Sequence, residues 1–348
     1  MSTGHGTVQT PAFMPVGTRG SVKGLTPEHI RRTQSEMILA NAYHLMIRPG
    51  AAAVRNLGGL HRLMGWDGPI LTDSGGYQVF SLSTLNRVGD DGVEFASHVD
   101  GARIYLDAET AIRVQNALGA DIIMCFDECA PYPCEHAALA NAVERTVRWA
   151  RQCKAAHANE RQLLFGIVQG GVDRELRTRC AEQLSAMDFD GYAIGGLSVG
   201  EGHGPMVATV EHTAQLLPED RPRYLMGVGM PADIIAAVRA GVDMFDCVLP
   251  TRNGRNAFAF TADGAIRLRN TAHADDTGPV EPDCRCYCCA NFSRGAIRHL
   301  FNVGEMLGPI LTTIHNLRFY QRLMAEIRQR IEAGALAEIS RRPGLEAT

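Results

Sequence analysis

The stretch Asp121-Ile-Ile-Met-Cys-Phe126 precedes a helical pattern over Glu135–His157, and Leu163-Leu-Phe-Gly-Ile-Val168 follows that pattern. Both short runs are apolar almost throughout, which is typical of strands that are buried on both faces. Strands of this kind occur in parallel sheets whose two faces are covered by helices. The unit therefore predicts an α/β fold.

The same alternation of apolar runs and amphipathic segments extends along the chain. Eight such units are the number found in a (β/α)8 barrel, the TIM barrel. A doubly wound sheet is the alternative, but it would normally show a Gly-rich first βα turn, and the sequence lacks one. The other predicted strands are Ala12–Val16, Met37–Ala40, Ile70–Thr72, Gly191–Ile194, Tyr224–Gly227 and Met244–Val248. The other predicted helices are Thr26–Thr33, Ala108–Leu118, Asp173–Met187, Gly204–Leu216 and Pro231–Ala240.

Two predicted hairpins interrupt the alternation, with turns at Asp100-Gly101 and Asp263-Gly264. The first hairpin follows the third strand, and the second follows the eighth strand and leads into a run of cysteines. We expect one barrel domain over residues 1–348, with a hairpin insertion at about 83–106 and a zinc subdomain at about 256–316. Leu317–Ile331 is amphipathic and is expected to be the closing helix. The strands that flank the two turns are predicted at Glu94–Val99, Ala102–Leu106, Ala257–Thr261 and Ala265–Arg269.

Composition restricts the class of protein. The chain has 348 residues, of which 45% are hydrophobic and 21% are charged. No run approaches 18 apolar residues, and the first residues lack the pattern of a signal peptide, so the sequence argues against membrane insertion and secretion. Ten cysteines, with a thiolate metal site among them, fit a reducing cytoplasm.

The region from Pro250 to Arg330 is positively charged, although the whole chain has a net charge of −4. It holds 11 arginines and 7 acidic residues. A locally basic face is a weak indication of a polyanionic partner. A solvated charged surface is the alternative interpretation.

Cys284, Cys286 and Cys289, together with His315, have the spacing and chemistry of a zinc site. Thiolates and one imidazole suit a closed, tetrahedral Zn²⁺ ion. Four protein ligands leave no open position for water, so we expect a structural metal, one per chain. Chance clustering or a redox role is the alternative. Cys288 breaks the spacing and is interpreted as a bystander.

Polar groups recur where the predicted strands end, which is where TIM barrels carry their active sites. Each has an ordinary interpretation, since a single Asp after a strand is usually a cap or turn residue. Their recurrence at one end of several strands is more informative. Two carboxylates there can serve as nucleophile and acid/base on a glycosidic bond. An Asp, a Gln and backbone amides can bind the edge of a planar heterocycle, with Tyr77 and Met226 on its faces.

The motifs at these strand ends resemble bacterial tRNA-guanine transglycosylase, of the queuine tRNA-ribosyltransferase family, over essentially the whole chain. The Cys and His zinc set completes the resemblance, which is specific only in combination. The motifs are Thr72-Asp-Ser-Gly-Gly-Tyr-Gln78, Phe126-Asp-Glu-Cys129, Val168-Gln-Gly-Gly171, Gly195-Gly-Leu-Ser-Val-Gly-Glu201 and Met244-Phe-Asp-Cys-Val-Leu-Pro-Thr-Arg252.

The resemblance implies an enzyme that exchanges guanine at the wobble position of GUN-anticodon tRNAs (Asp, Asn, His, Tyr) for preQ1, in queuosine biosynthesis. It implies that Asp246 is the nucleophile that attacks the ribose C1′, and that Asp73 is the general acid/base. A family member would bind tRNA, guanine and preQ1, and would form a homodimer in the cytoplasm.

The remaining site residues also follow from the resemblance. Asp127, Gln169, Gly196 and the backbone at Leu197 match the base-recognition groups, and Glu201 matches a carboxylate near the exocyclic amine of the base. Tyr77 and Met226 match the residues that pack on the ring. Further matches are Ser74 and Cys129 on the substrate side, Val16, Leu39 and Val248 on the ribose side, and Thr251, Arg252 and Arg255 near the tRNA backbone.

The resemblance also gives expectations about the subclass within the family and about the two ends of the chain. Cys129 and Ser198-Val199-Gly200 resemble the bacterial form that uses preQ1. Archaeal relatives modify the D-arm and carry extra C-terminal RNA-binding domains, whereas this sequence stops soon after its last predicted helix. Family members usually begin about twenty residues earlier, with a strand that pairs near Gly6–Thr10, so we expect an unprotected edge there.

Two other functions remain possible on the sequence. A zinc-dependent hydrolase would need an open metal position, which the fourth ligand His315 disfavours. A non-catalytic RNA-binding subunit would not need a nucleophile and an acid/base, yet Asp246 and Asp73 are both present.

Overall fold

Short strands alternate with helices along the computed structural model of the chain, which describes residues 1–82 and 86–341. The strands are β1 Ser2–Thr3, β2 Gly6–Thr7, β3 Ala12–Met14, β4 Ile38–Ala40, β5 Ile70–Thr72, β6 Asn86–Val88, β7 Gly92–Ala96, β8 Arg103–Asp107, β9 Ile122–Met124, β10 Leu163–Val168, β11 Gly191–Ile194, β12 Arg223–Leu225, β13 Met244–Asp246, β14 Phe258–Thr261 and β15 Gly264–Arg267. The helices are α1 Pro27–Arg32, α2 Ala42–Ile47, α3 Ala51–Asn56, α4 Gly59–Met64, α5 Gly76–Leu82, α6 Ala108–Leu118, α7 His136–Ala156, α8 Arg174–Ser185, α9 His203–Ala214, α10 Pro231–Arg239, α11 Leu249–Arg255, α12 Tyr287–Asn291, α13 Arg294–Asn302 and α14 Leu307–Glu332. Two 3₁₀ turns cover Thr271–His273 and Leu336–Arg341.

Eight strands form one parallel sheet in the order β3-β13-β12-β11-β10-β9-β5-β4. The two ends of this sheet meet at an isolated parallel bridge between Val16 and Leu39. There the Gly17 N–H donates to the Leu39 carbonyl at 2.7 Å, and the Leu39 N–H donates to the Pro15 carbonyl at 3.0 Å. The sheet is therefore a barrel surrounded by helices, which confirms the predicted fold and excludes the doubly wound alternative.

Alternate residues of the barrel strands belong to two separate cores. Leu39, Leu71 and Phe165 pack inside the barrel. Their strand neighbours, such as Ile38 and Ile70, pack outward against the helices. This division follows from the two-residue period of a strand, and it explains why the strands are apolar on both faces.

A hairpin of the first residues lies across the amino-terminal end of the barrel. β1 and β2 pair with Ser2 opposite Thr7 in a two-stranded sheet, so Gly6 and Thr7 have a strand partner on one side, and the unprotected edge expected at Gly6–Thr10 stays a prediction. Asp121, at the start of β9, holds this hairpin. Its carboxylate accepts from the His5 N–H and Nδ1 at 3.1 and 2.7 Å, from His61 Nε2 at 3.0 Å and from the Ile70 N–H at 2.8 Å. These four hydrogen bonds make Asp121 a structural anchor, which holds the hairpin through His5 and the barrel through His61 and Ile70.

The two inserted hairpins are present. β7 and β8 pair antiparallel with Ala96 opposite Arg103, and β6 adds a third strand that the sequence did not predict. β14 and β15 pair with Thr261 opposite Gly264. Residues 83–85, where the predicted first insertion begins, lie outside the described residues. The division into one barrel domain with two insertions stays a prediction.

Several predicted boundaries are wrong. β12 and β13 end at Leu225 and Asp246 instead of Gly227 and Val248, because the chain turns there into the loops of the site. α14 begins at Leu307, ten residues before the predicted start. Pro309 lies in the first turn of this helix, where Pro is tolerated because its missing N–H would have no helical acceptor. Within the described ranges, no helix combines the length and the apolar character needed to span a bilayer.

Candidate active site and metal centre

Asp246 is the last residue of β13 and lies at the carboxyl end of the barrel. Its Oδ1 accepts from the Tyr224 hydroxyl at 2.6 Å and from the Gly227 N–H at 2.8 Å. Tyr224 packs inside the barrel on the neighbouring strand β12. Burial raises the pKa of Asp246, and the two hydrogen bonds oppose that rise. Both of these donors bind the same oxygen, Oδ1, which orients the carboxyl group.

Asp73 follows β5 and is buried at the same end of the barrel. Its carboxylate accepts from the Ala42 N–H at 2.8 Å and from the Asn41 side-chain amide. Burial raises its pKa to about 7, and the charges of Asp246 and Asp127 contribute to the rise. A carboxyl group with this pKa can both give and take a proton near neutral pH. The sequence-based search missed Asn41, although it also follows a barrel strand, β4.

Asp127 follows β9, and two polar side chains hold it. Ser74 Oγ donates to Oδ1 at 2.7 Å, and Gln169 Nε2 donates to Oδ2 at 2.7 Å. Burial raises the pKa of Asp127, and these two hydrogen bonds act against the rise. The structure thus brings Ser74, Asp127 and Gln169 together from three different strand ends.

Glycines are required beside these side chains because no Cβ fits there. A Cβ at Gly196, where φ is +65°, would lie 2.2 Å from Gln169 Oε1. A Cβ at Gly76 would lie 2.6 Å from the Asp127 carbonyl oxygen. The backbone at these positions therefore approaches Asp127 and Gln169 more closely than any other residue allows. Leu197 follows Gly196 and is buried.

Three further residues of the motifs are Glu201, Glu128 and Cys129. Glu201 Oε1 and Oε2 accept from the Ser198 and Val199 N–H groups at 2.5 and 2.9 Å, so the carboxylate braces its own loop. Glu128 forms a two-pronged ion pair with Arg145 of α7, which anchors the loop after β9. Burial, followed by the charge of Asp127, raises the pKa of Cys129 to about 12, so its thiol is neutral at physiological pH.

The proposed ring-packing and ribose-side residues lie around the barrel mouth. Tyr77, in the first turn of α5, is 52% exposed and thus accessible to a ligand. Met226 is half-buried just beyond β12. Val16 and Leu39 form the bridge that closes the barrel, whereas Val248 is exposed beyond β13.

α11 begins three residues after Asp246 and carries the proposed tRNA-contacting residues. Arg252 is exposed and Arg255 is half-buried. Burial and the charge of Arg252 lower the pKa of Arg255. Thr251 is buried, and its hydroxyl donates to the Val248 carbonyl at 3.0 Å, which gives it a role within the helix.

The donor atoms of Cys284, Cys286, Cys289 and His315 lie within 4.8 Å of one another, and all four residues are buried. His315 Nδ1 is 3.3 Å from Cys289 Sγ and 3.8 Å from Cys286 Sγ, while its Nε2 is 2.7 Å from the Phe260 carbonyl oxygen. That carbonyl fixes the ring so that Nδ1 faces the sulfurs, a common arrangement for metal-bound histidine. Cys288 is not among the four residues. The cluster fits a metal ion with four protein ligands.

The ligand-bearing helix α14 connects this cluster to the barrel. Asn316, next to His315, donates to the carbonyls of Pro250 and Phe258 at 3.0 and 2.9 Å. A Cβ at Gly254 would lie 2.7 Å from Thr313 Oγ1, so α11 and α14 are in close contact. Helix α14 therefore links the cysteine and histidine cluster to α11, the helix that follows Asp246.

Comparisons with known proteins agree with this arrangement. The family model described as "Queuine tRNA-ribosyltransferase" matches residues 1–343. The chain is 55% identical over 336 residues to a protein of that name from Pelotomaculum thermopropionicum, covering 97% of this chain and 91% of the relative. It is 54% identical over 338 residues to one from Desulforamulus reducens, with 97% and 91% covered. It is 53% identical over 334 residues to one from Thiobacillus denitrificans, with 96% and 91% covered.

The barrel, its buried carboxylates and these similarities together define a glycosyl-transferring enzyme of the pentosyltransferase class. The cysteine and histidine cluster beside the barrel is a second, separate feature of the same chain. The chain belongs to the queuine tRNA-ribosyltransferase family.

Proposed function

We propose that this protein is a tRNA-guanine transglycosylase that exchanges guanine at the wobble position of GUN-anticodon tRNAs for preQ1. The supporting observation is the constellation of Asp246, Asp73 and Asp127 at the carboxyl end of one barrel, where Asp73 and Asp127 are buried and Asp246 is half-buried. The charges of Asp246 and Asp127 contribute to the raised pKa of Asp73, and burial is its largest cause. The 55% identity to a queuine tRNA-ribosyltransferase supports the same substrate class.

The reaction consists of two displacements at the ribose C1′. Asp246 Oδ2 attacks C1′, the C1′–N9 bond breaks, and its electron pair leaves with guanine, which receives a proton from the Asp73 carboxylic acid. The ring nitrogen of preQ1 then attacks C1′ while its proton passes to the Asp73 carboxylate. The bond from Asp246 to C1′ breaks and the carboxylate is restored. This is the logic of retaining glycosidases applied to a nucleoside.

Base recognition requires the wobble nucleotide to leave its stack and enter the pocket. Asp127 and Gln169 are already fixed against each other at 2.7 Å, so little ordering is needed when the base binds. We assign the edge of the base to these two side chains and to the backbone at Gly196 and Leu197. We assign the faces of its ring to Tyr77 and Met226. Glu201 would brace the loop beside the exocyclic amine.

We assign Zn²⁺ to Cys284, Cys286, Cys289 and His315, because three thiolates and one imidazole are its preferred donors. The bound ion would supply structural cross-linking of the region around α12 and α14. The exposed Arg252 and the half-buried Arg255 would contact the tRNA backbone. We also propose that the protein acts as a homodimer in the cytoplasm.

The exchange activity is tested by incubating the protein with unmodified tRNA and labelled guanine or preQ1. Label should enter only tRNAs with GUN anticodons. A tRNA of another anticodon is the matched control. Absence of incorporation from both bases would reject the proposed function.

The pKa of Asp73 predicts an unusual dependence of stability on pH. Burial raises it from 3.8 to about 7, so the native protein binds more protons than the unfolded chain between these values. The free energy of unfolding should therefore fall as the pH rises through this window. Between pH 5 and pH 8 the contribution of Asp73 amounts to about 3 kcal/mol.

Urea denaturation at pH 5 and pH 8 measures this effect. Asp73→Asn should lose less stability over that interval than the wild type, because an asparagine side chain does not titrate. Equal losses would contradict a raised pKa at Asp73.

A further inference from the structure

Arg177 of α8 is fully buried, with 0% of its surface exposed. All of its described hydrogen bonds go to backbone carbonyls. Nε donates to Gly171 at 2.8 Å, Nη1 to Val168 at 2.9 Å and Nη2 to Gly195 at 2.7 Å. The guanidinium group thus joins the loop that follows β10 to the loop that follows β11.

Burial without a carboxylate partner is an unusual environment for arginine, since desolvation of its charge is costly. Burial lowers the pKa of Arg177 to about 10, which still leaves it charged at neutral pH. The titratable groups that oppose this shift are Cys180, Cys129 and Glu201. Among the described residues, no acidic side chain forms a salt bridge with Arg177. The backbone carbonyls are therefore what the guanidinium group stabilises.

These carbonyls belong to the loops that present Gln169 and Gly196. Val168 directly precedes Gln169, whose amide donates to Asp127, and Gly195 directly precedes Gly196. A Cβ at Gly170 would lie 2.9 Å from the Arg177 backbone nitrogen, and one at Gly196 would lie 3.6 Å from Nη2. The loops are thus packed directly against α8 and the guanidinium group.

We propose that Arg177 is the positioning residue that sets the affinity and selectivity of the site for the free purine base. This inference rests on the proposed function, because it assigns Gln169 and Gly196 to base recognition. Arg177 lies behind the two loops and acts through them. Three bonds from one planar group fix the distance between the Gln169 side chain and the Gly196 backbone. The ammonium group of a lysine is a compact point charge and cannot reproduce the planar arrangement of donors in the guanidinium group.

The test compares base and tRNA kinetics in Arg177→Met, Arg177→Lys and the wild type. The KM for free guanine at saturating tRNA should rise roughly 10- to 100-fold in Arg177→Met, since small displacements of positioning groups have effects of this size. Arg177→Lys should be intermediate. The KM for tRNA should change less than about twofold, because phosphate contacts dominate its binding. Arg179→Met is the matched control, since Arg179 lies on the same helix and pairs with Glu144 at the surface.

The outcomes separate this inference from the function on which it rests. Wild-type protein that fails to exchange any base rejects the proposed function itself. If the wild type exchanges but the base KM of both variants stays at the wild-type value, the positioning role is overturned, even if the melting temperature falls. An equal rise in the KM for base and for tRNA also overturns it. If Arg177→Met does not fold, Arg177→Lys decides by the same criterion.

Discussion

Asp246→Asn should abolish base exchange while the protein still folds and binds tRNA. The amide oxygen can still accept from Tyr224 and Gly227, which hold Oδ1 at 2.6 and 2.8 Å in the wild type. An amide cannot serve as the nucleophile, so we expect a loss of at least ~10⁴-fold in the exchange rate. Incorporation of labelled guanine into tRNA measures the rate, and a gel-shift assay measures binding.

Asp263→Asn is the control for this prediction, because Asp263 is an exposed residue at the tip of the β14–β15 hairpin. It should retain the wild-type rate. Full exchange by Asp246→Asn would exclude Asp246 as the nucleophile. Loss of exchange together with loss of secondary structure would instead show that Asp246 is needed for folding.

Cys286→Ala should release the metal and unfold the region around α12 and α14. A structural zinc ion contributes on the order of 10 kcal/mol to the folding of its domain, so loss of one ligand is more damaging than a core cavity. Because Asn316 and Thr313 of α14 pack against α11, we also expect tRNA binding to be lost. Metal content, thermal melting and tRNA binding measure these effects.

Cys288→Ala is the matched control, since Cys288 is buried in α12, the short helix that Cys286 caps, but lies outside the four-residue cluster. It should keep one metal ion per chain and bind tRNA normally. Loss of turnover in Cys286→Ala with the fold and tRNA binding intact would contradict a structural metal and favour a catalytic one.

The barrel could be predicted because strands buried on both faces have a simple sequence pattern. The runs at Asp121–Phe126 and Leu163–Val168 gave strands at nearly the predicted places. The strand-end rule also located Asp73, Asp127, Gln169 and Asp246, and Asp127 and Gln169 are in direct contact. These features depend only on the pattern of apolar residues along a strand and on which residues follow the strand, and both can be read from the sequence.

Other features depend on tertiary contacts that no local pattern expresses. Arg177 lies on an amphipathic helix, where an arginine normally indicates a solvated face. Its guanidinium group is nevertheless buried and donates to three backbone carbonyls. Glu201 resembles a recognition group, but its carboxylate binds two N–H groups of its own loop. The first ten residues of α14 were not predicted as helix, and there a Cβ at Gly308 would lie 3.3 Å from Leu300 and Phe301 of α13, a close tertiary contact that a local pattern does not express.

The most direct test of the central claim is to trap the intermediate on Asp246. Protein and unmodified tRNA, mixed without an incoming base and then denatured, should give a protein–tRNA adduct of one-to-one stoichiometry. Mass spectrometry of the digested adduct should place the ribose on the peptide that contains Asp246, and addition of guanine before denaturation should remove the adduct. An adduct on another residue, or guanine exchange with no adduct at any time point, would contradict the proposed mechanism.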